Sequence, residues 1–264
     1  MPDNLDSLEF LEFLDFLESL ESKKEKKKTM KHLHILRTVA LSLLLAGSLL
    51  SAKAQITDYR NNLAIGFNAG ATFNSVFFSP SIKQGTHQGL IGGFTARYIS
   101  EKYFAMICGL QVECNFSQRG WKEKIEDGTG NTYQRTLNYV EVPFLAHLAF
   151  GADHRGARFF LNAGPQFSYF LSDKEEYGGH PWDPSHRPNN VTYQYGKAVE
   201  NMFEYGITGG LGVELRTGIG HFLIEGRYYY GLSDIYGNSK KDDFSRSGLS
   251  IISGKLTYLF DLTK

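Results

Sequence analysis

The chain has 264 residues, with 28 Lys and Arg balancing 28 Asp and Glu. This neutrality excludes the basic excess that marks a nucleic-acid-binding protein. Cys108 and Cys114 fall on one face of one alternating segment, about 20 Å apart along a strand, which is too far for a disulfide, and no Cys-x-x-Cys metal spacing occurs.

From Met30 the residues Lys31, His32, His34 and Arg37 form a basic lead, Val39 to Leu50 an apolar run, and Ser51-Ala52-Lys53-Ala54 a small-residue cleavage site. This is the pattern of a secretory signal peptide over residues 30–54, cleaved before Gln55. The apolar run is shorter than the roughly 20 residues a spanning helix needs, and no lipoprotein cysteine follows the cleavage site. Residues 1–29 carry an acidic three-residue repeat (Leu8-Glu9-Phe10, Leu11-Glu12-Phe13, Leu14-Asp15-Phe16) and then the lysine run Lys23 to Lys28. Two readings stand for them: a functional amphipathic segment, or a start codon placed too early, because an acidic lead opposes the positive start that export uses. Eight of the 28 residues in each charge class lie within residues 1–54, so the remaining 55–264 stays neutral.

Beyond Gln55 no apolar run approaches the length of a spanning helix. Alternation with period two takes its place, which is strand geometry. In Leu63 to Ser75 the odd positions Leu63, Ile65, Phe67, Ala69, Ala71 and Phe73 are apolar and the even ones small or polar. Similar segments follow near Leu90 to Ile99, Phe104 to Ser117, Leu137 to Phe150, Phe159 to Leu171, Phe203 to Arg216, Phe222 to Leu232 and Ser250 to Leu262. These eight segments are mostly longer than the usual soluble strand of about 5–6 residues.

The connections between them alternate in length. Ser100–Tyr103, Gly151–Arg158 and Thr217–His221 are short, whereas Val76–Gly89, Arg119–Thr136, Ser172–Met202 and Ser233–Gly248 are long. Short inner turns alternating with long outer loops, with an even strand count, describe an eight-stranded antiparallel up-and-down transmembrane β-barrel in the bacterial outer membrane. A soluble lipocalin-like barrel is the alternative, but it would carry its Lys and Glu outside. Here the charges share a parity with glycines and amides, as a membrane-barrel interior requires. Aromatic residues near segment ends (Tyr98, Tyr103, Phe116, Trp121, Tyr169, Tyr228, Tyr230, Tyr258 and Phe260) fit interfacial belts.

Four short stretches carry a family resemblance: Gly66-Phe67-Asn68-Ala69-Gly70, Phe116-Ser117-Gln118-Arg119-Gly120, Asn138-Tyr139-Val140-Glu141-Val142-Pro143 and Ala163-Gly164-Pro165. Over about Asn62 to Leu262 the chain resembles the eight-stranded outer-membrane barrels of the PorT-like type found in Bacteroidota. The resemblance implies the fold and the location far more than an activity, and one branch of that family assists protein secretion.

For chemistry, the inward-parity candidates are Arg97, Glu113, Glu141, His147, Glu204, Glu214, Arg216, Glu225, Arg227 and Lys255. Unpaired charges there would be costly, so Arg97, Glu113, Glu141, Glu214, Arg216, Glu225, Arg227 and Lys255 are expected to form an interior polar network; an ion or proton path is the other reading. In the longest loop, Tyr177, Trp182, Tyr193 and Tyr195 are expected to contact partners, as aromatic anchors do. His180, Asp183 and His186 lack a fourth metal ligand, and His180, Ser185 and His186 match no catalytic spacing. No cofactor, metal or nucleic acid is expected. The expected partners are the outer-membrane bilayer and proteins meeting the outer loops. The sequence therefore describes a non-enzymatic outer-membrane barrel with a structural or interaction role, assistance of secretion or assembly being one such role. The alternative is a membrane-embedded hydrolase or acyltransferase with a site at the outer rim.

Overall fold

The computed structural model describes residues 62–103, 106–151, 155–179, 181–185, 187, 190–239 and 241–262. The expected signal peptide and its upstream extension lie outside these residues. Nine strands follow one another: β1 (Asn62–Ser79), β2 (Gln84–Gly85), β3 (His87–Tyr103), β4 (Met106–Glu123), β5 (Thr132–Gly151), β6 (Gly156–Gly178), β7 (Phe203–Arg216), β8 (His221–Gly231) and β9 (Arg246–Asp261). All except β2 pair antiparallel in the ring β1-β3-β4-β5-β6-β7-β8-β9, which closes when β9 pairs with β1, while β2 only extends the edge of β4. The eight expected segments are the eight ring strands, and closure leaves no edge through the body of the sheet. Both ends of the ring, Asn62 and Asp261, lie at the end that carries the short turns.

Alternation decides which side chains face out. Phe94, Leu110, Leu211 and Ile224 point outward and are 61–66% exposed. Their sequence neighbours Thr95, Gln111 and Glu225 point inward and are buried. Polar residues inside and apolar residues outside invert the arrangement of a soluble barrel, so the lipocalin-like alternative fails.

Several strands outrun their expected limits, because crossing a bilayer takes only about 9–11 tilted residues. β4, β5 and β6 have 18, 20 and 23 residues, and their long-loop ends carry polar outward side chains: Gln118 and Lys122 on β4, Gln134, Thr136 and Asn138 on β5, Lys174 and Glu176 on β6. These ends stand above the apolar band as an extended wall. In β6 the register shifts between Tyr139↔Phe170 and Asn138↔Ser172, and the extra residue, Leu171, swaps the inward parity from even to odd. The alternation therefore breaks at Leu171, the limit of the expected segment. Ser172–Gly178 is strand rather than loop, and the β6–β7 connection is residues 179–202. A second interruption lies opposite Pro143, which has no N–H to donate: the β4–β5 ladder passes from Val112↔Phe144 to Asn115↔Glu141.

The long-loop end is filled by an apolar cluster that combines wall residues (Val76, Phe78, Trp121, Tyr133, Leu137, Tyr139) with loop residues (Val191, Ile235, Tyr236, Phe244). A smaller cluster of Ile99, Ile107, Ala149, Phe160, Leu223 and Leu259 fills the short-turn end. Trp121, expected in an interfacial belt, instead points inward and is fully buried, with its ring 5.1 Å from that of Phe78.

Candidate functional site

Below the long-loop cluster the lumen is occupied by ion pairs in three groups, the last of them interleaved with the short-turn cluster. Nearest the long loops, Arg119 donates to Glu204 at 2.7 Å and also to Glu141, and Ser168 accepts from it at 3.0 Å. Its guanidinium lies 4.8 Å from the Tyr139 ring centroid and 5.1 Å from that of Tyr229, so the apolar plug rests on a cation sandwiched by aromatic rings. In the middle, Arg227 makes a two-pronged contact with Glu113 at 2.8 and 3.0 Å and reaches Glu225 at 2.8 Å, while Lys255 also donates to Glu113. Asn115 links the two groups, donating to Glu113 at 2.8 Å and to Glu141 at 3.3 Å. Toward the short turns, Arg97 holds Glu214 with two 2.9 Å bonds, and the ring of His221 faces both Glu214 and Asp261.

The strands make this crowding feasible. Inward glycines of β7 leave space that side chains fill: a Cβ on Gly210 would meet Glu225 Oε1 at 2.5 Å, and one on Gly212 would meet the Phe160 ring at 2.3 Å. Cross-strand register then brings opposite charges side by side, as with Glu225↔Lys255 and Arg158↔Glu214. Among the described residues the lumen below the long-loop plug holds five buried cations (Arg97, Arg119, Arg158, Arg227 and Lys255) and five buried carboxylates (Glu113, Glu141, Glu204, Glu214 and Glu225). Equal numbers matter because an unmatched buried charge would cost several kcal/mol, on the order of 3–5.

Of the eight residues expected in the network, Arg97, Glu113, Glu141, Glu214, Glu225, Arg227 and Lys255 lie in the lumen, buried and paired. Arg216 does not join them. As the last residue of β7 it sits half-buried at the short-turn rim, 3.4 Å from Asp261. His147 lies in the lumen with Nδ1 2.8 Å from Asn162 Oδ1. Arg119 and Arg158 lie in the lumen beside the expected set. The ten inward candidates held five glutamates, and once Arg216 leaves for the rim only three Arg or Lys remain. Electroneutrality requires two more, and Arg119 and Arg158 each continue an inward row, after Ser117 on β4 and before Phe160 on β6.

At the outer end two further arginines fasten the loops to the wall. Arg135 donates to Asp173 and to the Tyr236 hydroxyl, each at 2.9 Å, and pairs with Glu175 at 2.9 Å. Arg187 donates to Asp127 at 2.5 Å and to the Tyr195 hydroxyl at 2.9 Å, and it stacks 4.8 Å above Trp182. Hydrogen bonds from Thr129, supported by Arg187, hold the Asp127 carboxyl below its usual range, and burial pushes the Tyr195 phenol up. The four loop aromatics thus divide. Trp182 and Tyr195 pack edge to face within the cap, and Tyr195 donates to Glu123 at 2.7 Å; Tyr177 and Tyr193 remain 45% and 52% exposed. Tyr177 belongs to β6, not to the loop. Ser185 donates its hydroxyl to Asp183 at 2.6 Å, while His180 and His186 lie outside the described residues. A groove of about 430 Å³ lies on the outer wall among Phe67, Phe94, Val112, Cys114 and Phe260, on the apolar outward face.

The chain that forms this closed ring of eight strands, apolar outside and charged and paired inside, matches a family model over residues 53–237. The chain belongs to the family described as "Outer membrane protein beta-barrel domain". It is accordingly a protein of the bacterial outer membrane, with its outward side chains in lipid. No curated protein matches the chain. Among solved structures, the attachment invasion locus protein Ail of Yersinia pestis shares 11% identity, covering 75% of this chain and 98% of its own at a TM-score of 0.32. OprG of Pseudomonas aeruginosa shares 12%, covering 76% and 95% at 0.39. Neisserial surface protein A shares 13%, covering 75% and 97% at 0.38.

Proposed function

We propose that this outer-membrane barrel is a closed, non-enzymatic protein with a structural or interaction role, working through its outer cap and loops. The observation that carries this reading is the filled lumen. An eight-stranded barrel leaves only the space that side chains can occupy, and here an apolar plug under the loops, a charge-balanced network and a smaller apolar cluster toward the short turns fill it. Each lumenal carboxylate is bonded to an Arg or Lys or stands beside one, which suits a brace between strands better than a general acid or base. What projects into the medium is the cap, with Tyr193 exposed at its surface.

The PorT-like assignment is part of this proposal, and the packing supports it. Two of the four resemblance stretches lie side by side, Phe116 opposite Val140 and Arg119 opposite Leu137, and they contribute the two sides of one ion pair, Arg119 and Glu141. Assistance of secretion or assembly is the corresponding role. Export through a signal peptide over residues 30–54 also belongs to the proposal, supported by a family match that begins at residue 53.

Planar-bilayer recording on purified protein tests the closed lumen. The expected result is no steady conductance, and a stable, reproducible open level would overturn the reading.

A further inference from the structure

The ring is closed only through the body of the barrel. β6 pairs with β7 from Gly156↔Arg216 to Tyr169↔Phe203, and one more bond follows, from Phe170 N–H to Met202 O at 2.8 Å. Above it, Ser172–Gly178 pairs with β5 along one side, from Asn138↔Ser172 to Thr132↔Gly178. On its other side no strand pairs with it among the described residues. The inner face of this stretch is occupied: Asp173 and Glu175 hold Arg135, and Gly196 N–H donates to Glu175. The outer face is open. Lys174 and Glu176 side chains are 72% and 51% exposed and meet at 2.7 Å. The result is an unpaired edge strand in the wall, above the lipid band.

Charges on an exposed edge normally prevent unspecific strand addition. The charges on this edge exclude most strands but complement one in particular, the same segment run antiparallel. When Glu175 faces Glu175 of a second copy, each Lys174 stands opposite the copy's Glu176, and the two cross-strand pairs have opposite charge. The central Glu175 carboxylates are each held on the inner face by Arg135, which they share with Asp173, and by the Tyr133 hydroxyl and Gly196 N–H. Symmetry then fixes where the second copy sits. The twofold axis of an antiparallel pair runs perpendicular to its sheet, and this sheet is the upright wall of the barrel. The axis therefore lies near the membrane plane and inverts the second barrel.

We propose that the free β6 edge at Ser172–Gly178 pairs with the same edge of a second copy embedded in a facing membrane, making this protein a homotypic membrane-to-membrane contact. This inference rests on the proposed interaction role and names its partner. Backbone bonds would supply the attachment, as in other strand-addition contacts, and the Lys174–Glu176 pairs would set its register.

The test is clustering of phosphatidylcholine vesicles that carry the purified protein, followed by turbidity. Wild-type vesicles should cluster. Vesicles with Lys174→Glu alone, or with Glu176→Lys alone, should stay as dispersed as protein-free vesicles, because each edge then repels itself. Mixing the two variant populations should restore clustering, since the two outward carboxylates of the first variant then face the two outward ammonium groups of the second. Both side chains are exposed, so retention of heat-modifiable gel migration verifies that the variants fold. Dispersed wild-type vesicles, variants that cluster alone, or a mixture that stays dispersed would each overturn the inference. Bilayer recording judges the closed barrel separately, so a non-conducting protein whose vesicles never cluster removes the self-pairing and leaves the proposed function standing.

Discussion

Glu113 is the most connected anion of the lumen, and replacing it tests whether the network braces the barrel. It accepts two bonds from Arg227, one from Lys255, and others from Gln111 and Asn115. Glu113→Gln leaves Arg227 and Lys255 sharing Glu225 alone, an excess of one buried positive charge. Breaking a buried pair in this way costs about 3–5 kcal/mol. Lys255→Met leaves the opposite excess, one buried negative charge with Arg227 shared by Glu113 and Glu225, and should likewise cost about 3–5 kcal/mol. The double variant leaves one cation and one anion, Arg227 and Glu225, and is neutral again. Its penalty should fall short of the sum of the single penalties by at least about 1 kcal/mol, the scale of coupling between residues in contact. Reversible denaturant unfolding from phospholipid vesicles, followed by tryptophan fluorescence, measures all three. A Glu113→Gln variant within about 0.5 kcal/mol of the parent, the range of ordinary surface substitutions, or two penalties that simply add, would refute a bracing role for the network.

Leu110 points into lipid from β4 and is 61% exposed, so Leu110→Arg should destabilise by about 2–4 kcal/mol near the midplane; a variant as stable as the parent in the same unfolding assay would show that the facing is wrong. Arg135→Ala removes the bonds to Asp173, Glu175 and Tyr236, each of the charge-assisted kind worth about 1.5–3 kcal/mol. Amide exchange should accelerate around residues 190–196 and 234–247 while the lower strands keep their protection, and unchanged exchange in the cap would mean that Arg135 does not fasten it. Mass spectrometry of the membrane-extracted protein should find Gln55 at the amino terminus, and peptides spanning Ala54–Gln55 or drawn from Leu5 to Glu21 would count against the processing read from the sequence.

Period-two alternation by itself determined the class of fold, the eight ring strands and their facing, because a side chain in a strand can point only in or out and the solvent on each side selects its polarity. In the sixth segment it also fixed both ends, Phe203 and Arg216. The lumenal positions of Arg97, Glu113 and Arg227 followed from the same parity. Tertiary structure decided where the alternation stops carrying information. A bulge at Leu171 reverses the parity of β6, so a stretch with Lys174, Glu175 and Glu176 reads as a loop although it is strand. Arg119, Trp121, Tyr133 and Arg135 stand above the lipid band, where the outward face becomes polar and the contrast between the two parities fades. The pairings of Arg97 with Glu214 and Arg227 with Glu113 join residues 117 and 114 positions apart. Such partners are set by ring closure and strand stagger, and neither leaves a trace in local sequence. The free edge of β6 has the same origin: it exists because β7 begins at Phe203, nine residues short of the height that β6 reaches, a mismatch visible only when the two strands lie side by side.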